Sequence, residues 1–93
     1  MEINQTQALI ANECDNIKNL LLEKNRKYGN SALNPCRIFS RQSNIEQLLV
    51  RIDDKLNRIK NRQRDEDEDV IQDLIGYLVL LQVAKKQQNN EGE

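Results

Sequence analysis

Residues 65–85 read DEDEDVIQDLIGYLVLLQVAK. The stretch opens acidic and becomes almost wholly apolar. At 100° per residue, Val70, Leu74, Tyr77, Leu78, Leu81 and Ala84 share one helical face. Ile71, Ile75, Val79, Leu80 and Val83 fill most of the rest. A helix apolar nearly all round has to be buried on most sides. The pattern predicts a helix over about residues 67–87, with its acidic start suited to the positive end of the helix dipole. Asp69 and Asp73 sit one turn apart beside its most apolar face.

The preceding segment explains what that helix packs on. Ser43, Asn44, Ile45 and Glu46 have the spacing of a capping box, with Glu46 three residues after the cap. Ile45, Leu48, Leu49, Ile52, Leu56 and Ile59 then form a narrow apolar stripe. Arg51, Lys55, Arg58 and Arg62 line one edge of it, and Glu46 and Asp53 the other. A short turn follows, so the two helices are expected to pack as an antiparallel hairpin. Upstream, Ile3, Ile10, Cys14, Ile17 and Leu21 trace one stripe of a first helix that ends near Lys24. Asn4 and Thr6 are both candidate caps for it.

Between the first two helices lies a long basic loop, residues 24–43, rich in Gly, Asn, Ser and Pro. Loops of that length in compact domains are often functional. Lys24, Arg26, Lys27, Arg37 and Arg41 make it cationic. Tyr28 and Phe39 can anchor it or stack on a planar ligand. The chain therefore reads as all-α: three helices, a long basic loop after helix 1, and a helix 2–helix 3 hairpin. Residues 1–88 form one domain and 89–93 a polar disordered tail. Three helices cover the last one poorly, so a dimer or larger homo-oligomer is expected.

Composition narrows the function. The net charge is −1 with 31% charged residues, which argues against binding long nucleic acid. Two cysteines, Cys14 and Cys36, read as reduced thiols of a cytoplasmic protein. There is no His, the commonest general base and zinc ligand. No leader pattern and no membrane-length apolar run is visible, so neither secretion nor a membrane partner is expected.

Two constellations carry chemistry. The first is the carboxylates of the last two helices, with Asp53 expected near Asp69 or Asp73. Such groups suit Mg²⁺, which bridges phosphates. The plain alternative is that Asp69 only starts a helix and that Asp73 pairs with Arg51 or Lys55 inside the fold. The second is the basic flank Arg51, Lys55, Arg58 beside the basic loop, where Arg forks suit phosphate. Its plain alternative is a solvated face making i,i+4 pairs. Cys36 lacks a His to activate it, and Tyr77 reads as core with its hydroxyl satisfied at the edge.

Three motifs occur in order: Lys24-Asn25-(two residues)-Tyr28-Gly29-Asn30-Ser31, then Arg51-Ile52-Asp53-Asp54-Lys55-(two residues)-Arg58-Ile59, then Glu68-Asp69-(three residues)-Asp73-Leu74-(two residues)-Tyr77. This set resembles the small phage and bacterial nucleotide modification associated domain, type one, itself similar to MazG-like all-α nucleoside triphosphate pyrophosphohydrolases. The resemblance implies a MazG-like bundle completed by oligomerisation, in a host cytoplasm if phage-encoded. It matches Lys24, Asn25, Tyr28, Gly29 and Lys55 to the family's motif positions; with the basic loop and flank, the expected ligand-binding set is Lys24, Asn25, Tyr28, Gly29, Asn30, Arg37, Arg51, Lys55 and Arg58. It implies Asp54, Asp69 and Asp73 as the acidic set for Mg²⁺. The chain departs from the enzymes in having no Glu-x-x-Glu and in spacing its last acidic pair i,i+4. Three functions follow as expectations. The first is sequestration of a nucleotide or cyclic nucleotide defence signal without turnover. The second is Mg²⁺-dependent pyrophosphohydrolysis. The third is a helical inhibitor module for another protein.

Overall fold

The computed structural model describes residues 2–34, 41–61 and 69–91, and among them every regular element is helical. The chain runs α1 (Glu2–Tyr28), α2 (Asn44–Lys60) and α3 (Val70–Glu91).

The start of α2 is as expected. Ser43 has extended backbone, and its Oγ accepts a hydrogen bond from the Glu46 amide at 3.1 Å. That contact satisfies one of the helix's orphan donors. Asn61 ends α2, its amide donating to the Asn57 carbonyl. Asp69 caps α3 in the same way: its Oδ1 accepts from the Gln72 amide at 2.9 Å. The described helix therefore begins at Val70, three residues after the expected start. At its other end α3 continues to Glu91, into the stretch expected to be a disordered tail.

The antiparallel hairpin is present. Arg51 of α2 reaches Tyr77 of α3, and Lys55 reaches Asp73. Four residues forward on α2 match four residues back on α3, so the helices run in opposite directions. Leu48 and Ile52 form the buried α2 side of this contact, and Leu48 has 0% of its surface exposed. The Tyr77 hydroxyl accepts from Arg51 Nη1 at 3.5 Å, at the edge of the core.

Helix α1 meets α3 and crosses it antiparallel. Lys24 lies against Asp73, and Leu21 against Gly76 three residues on. The approach is close because Gly76 has no side chain: a Cβ there would sit 3.2 Å from Leu21 Cδ2. Ile17 and Ala84 are buried, whereas residues 4–16 of α1 are exposed throughout. The stripe on α1 is therefore half covered, with Ile17 and Leu21 inside and Ile10 and Cys14 outside.

One expectation needs correction. Helix 1 does not end at Lys24 but continues a full turn to Tyr28, so the first five residues of the supposed loop are helical. Lys, Arg, Asn and Tyr are tolerated in a last turn, where cations favour the negative end of the dipole. The helix stops only at Gly29. Helix α3 is poorly covered within one chain, as three helices alone predict. Ile71, Ile75, Leu78, Val79 and Val83 all remain exposed. No described helix is long and apolar enough to cross a membrane.

Candidate functional site

The three helices meet around one open cavity of about 290 Å³. Helix α1 supplies Leu20, Leu21, Lys24, Asn25 and Tyr28, and residues 29–33 close one end. Arg51 comes from α2, and α3 adds Gln72, Asp73, Gly76, Tyr77 and Leu80. The floor is apolar and the rim carries cations, amides and two phenols. That division of labour is common in small-molecule sites.

The turn after α1 is built by its own motif. Gly29 has φ +66°, the left-handed conformation that ends many helices. Its amide donates to the Asn25 carbonyl at 2.7 Å. The Asn25 side chain then donates from Nδ2 to the Gly29 carbonyl at 3.2 Å and to Asn30 Oδ1 at 2.8 Å. The Asn34 amide donates back to the Asn30 carbonyl at 2.7 Å, closing the next turn. Asn25, Gly29 and Asn30 thus hold residues 29–34 against the end of α1. Tyr28 stands at the mouth, mostly exposed, with Lys27 Nζ 5.3 Å from its ring centroid.

Gly29→Ala is expected to cost about 1 kcal/mol, because nothing crowds the new Cβ and only the left-handed backbone resists it. Gly29→Asn should cost less, since Asn visits that conformation. Urea melts of the two variants measure the difference. Equal stability of Gly29→Ala and the parent would show that the turn is not held left-handed.

Charge is arranged around Asp73, whose side chain is 23% exposed. Lys55 Nζ lies 3.5 Å from Oδ2 and is itself only 13% exposed. Lys24 Nζ lies 3.9 Å from Oδ1, from the far wall. Asp73 therefore ties α1, α2 and α3 together at one point. The expected pairing of Asp73 with a cation inside the fold is seen with Lys55. Lys24 joins it from α1, a partner that could be recognised only once that helix ran past residue 24.

Of the residues expected to contact a ligand, Lys24, Asn25, Tyr28, Gly29, Asn30 and Arg51 all line the cavity. Lys55 stands behind Asp73. Arg58 does not line the cavity; its Nε donates to Asp54 Oδ2 at 3.2 Å, one turn away on the same helix. Arg37 lies outside the described residues, as do Cys36, Phe39 and Arg62. The acidic set expected for Mg²⁺ does not converge. Asp54 is paired on the outer side of α2, Asp69 caps α3, and Asp73 is held by lysines. Among the described residues no three carboxylates or thiols form a group that could hold a metal ion. The i,i+4 spacing and the separate helix explain this: Asp69 points at its own first turn and Asp54 away from α3.

Gly76 and Tyr77 were not expected in the site. A glycine inside an apolar helical run was the available signal, because such a position marks close approach or packing. Comparison with protein-family models, curated proteins and solved structures gives no match to this chain.

Proposed function

We propose that the protein binds a nucleotide in the cavity between α1, α2 and α3 and retains it without turnover. The observation that carries this reading is the convergence of Lys24, Asn25, Tyr28, Gly29, Asn30 and Arg51 on one cavity from two helices and a turn. Lys24 and Arg51 offer cations to a phosphate, and the Arg fork can take two oxygens at once. Tyr28 at the mouth and Tyr77 in the wall offer aromatic faces to a base. A volume near 290 Å³ is at the low end for ligand pockets, so one nucleotide unit fits inside and anything longer reaches out past Tyr28. A signalling nucleotide or one unit of a cyclic nucleotide satisfies that limit. Sequestration of such a signal is the biological role we favour.

Hydrolysis of a nucleoside triphosphate is the second reading, favoured by the carboxylate of Asp73 in the cavity wall. It needs a metal set that the described carboxylates do not assemble, so no chemical step is drawn through it.

Calorimetric titration with nucleoside mono- and triphosphates and cyclic mononucleotides, with and without Mg²⁺, tests both. Saturable binding with the ligand recovered intact by chromatography is the expected result. Recovery as monophosphate and pyrophosphate would establish the enzyme reading instead. Absence of heat with every nucleotide would remove the proposal.

A further inference from the structure

Building on the nucleotide reading above, we infer that Gln72 selects the base: its side-chain amide reads the edge of an adenine stacked on Tyr28. Three carboxamide side chains line the cavity, those of Asn25, Asn30 and Gln72. Two of them hold the fold. Asn25 Nδ2 donates to Asn30 Oδ1 at 2.8 Å and to the Gly29 carbonyl at 3.2 Å, so this pair braces the turn after α1. Gln72 differs. Its backbone amide donates to Asp69 Oδ1 at 2.9 Å in the capped first turn of α3, which fixes its backbone. Its side chain has no hydrogen-bond partner among the described residues. Gln72 is thus a half-buried amide in the cavity wall with donor and acceptor both free. A ligand that displaces water from such a group has to match it or lose those hydrogen bonds.

Register puts Gln72 where the base would lie. Leu21 of α1 lies against Gly76 of α3, and the two helices run in opposite directions. Four residues forward on α1 is Asn25 and four back on α3 is Gln72, so these two lie opposite one another. Tyr28 stands nearly a turn further out, at the mouth. Arg51 meets α3 at Tyr77, and Lys24 meets it at Asp73. The cations for a phosphate are therefore placed further along α3 than Gln72. A nucleotide with its phosphate between Lys24 and Arg51 brings its base out to Gln72 and Tyr28.

The chemistry of the amide favours one purine. Oε1 accepts beside the donors of Nε2. Adenine matches that pair on two edges, because its N6 amine donates beside the acceptor N1 and again beside the acceptor N7. Guanine matches it on one edge, N1–H beside O6, since its N7 and O6 are both acceptors. Whichever edge a base stacked on Tyr28 turns to α3, adenine satisfies Gln72.

The test is calorimetric titration of the full chain with adenosine and guanosine monophosphates. The parent should prefer the adenosine nucleotide by about fivefold, the lower end for a matched pair because Gln72 is half-buried. Gln72→Met keeps the length of the side chain and removes both hydrogen-bonding groups, so the two affinities should become equal. Gln72→Glu should move the ratio toward guanosine, since a carboxylate accepts from N1–H and N2–H together but meets an acceptor on either edge of adenine. A Glu also suits the first turn of a helix, so this variant decides should Gln72→Met not fold. Lys24→Ala should weaken both nucleotides by the same factor, because a phosphate contact carries no information about the base. Equal binding of both nucleotides by the parent, or a preference that survives Gln72→Met, overturns the inference and leaves the nucleotide reading standing. Binding of neither nucleotide by the parent removes both.

Discussion

Leu48→Ala is expected to destabilise the protein by about 3 kcal/mol, more than half of a margin at the lower end of the usual range. Leu48 is the one described side chain that is completely enclosed. Truncating an enclosed Leu loses the transfer energy of its methyl groups and leaves a cavity whose walls relax only in part. Most domains hold a margin of only about 5–15 kcal/mol, and the four buried hydrophobics among the described residues argue for the lower end. Val50 offers an internal standard two residues away on the same helix. It is 53% exposed, so Val50→Ala should change stability by less than about 0.5 kcal/mol. Urea denaturation followed by helical circular dichroism compares the two. Equal effects at both positions would mean that Leu48 is not the centre of the α2–α3 contact.

The contrast between these two residues is legible in the order of amino acids alone. Leu48 and Ile52 lie on the apolar stripe of α2, and Val50 lies off it, because side-chain direction in a helix follows from spacing. The Ser43 cap is legible for a similar reason: capping depends on a side chain and an amide three residues apart. The end of α1 is harder to read. Loop-forming Gly and Asn near residue 30 draw the expected boundary back to Lys24, yet one left-handed Gly29 suffices to stop a helix that Lys27 and Tyr28 can continue. The exposure of α3 is legible in outline, because three helices are too few to surround an almost wholly apolar one. An apolar residue count states that Ile71 and Leu78 need cover, but it does not state what supplies it.

The site divides along the same line. Residues of one helical turn that face one way come together as expected, which is why Lys24, Asn25 and Tyr28 share a wall. Carboxylates on different helices do not, because their placement depends on register. With Lys55 opposite Asp73, Asp54 is turned to the outer flank of α2, where Arg58 meets it. Asp69 illustrates a further competition: a carboxylate at a helix start has orphan amides within reach, and these claim it before a shared metal site can form.

Lys24→Ala and Asp73→Asn are expected to move nucleotide affinity in opposite directions. Lys24 is half exposed at 3.9 Å from Asp73, so its pairing adds little to stability and its removal chiefly takes a cation from the cavity rim. Loss of one charge-assisted phosphate contact is worth about 1.5–3 kcal/mol, a tenfold or greater fall in affinity. Asp73→Asn keeps the shape and an acceptor for Lys55 but removes a negative charge from the wall. An anionic ligand should then bind several-fold tighter, while the fold loses about 1–2 kcal/mol because the largely buried Lys55 trades a carboxylate for an amide. Calorimetry on both variants, with urea melts beside it, separates the two contributions. The pyrophosphohydrolase reading makes a different forecast for the same Asp73→Asn protein, namely turnover in the parent that vanishes in the variant. Affinity that falls in both variants would place the ligand's positive or metal-bound end at Asp73 and reverse the orientation argued here. Affinity indifferent to both would put the ligand outside this cavity, because no anion seated between Lys24, Arg51 and Asp73 can be insensitive to their charge.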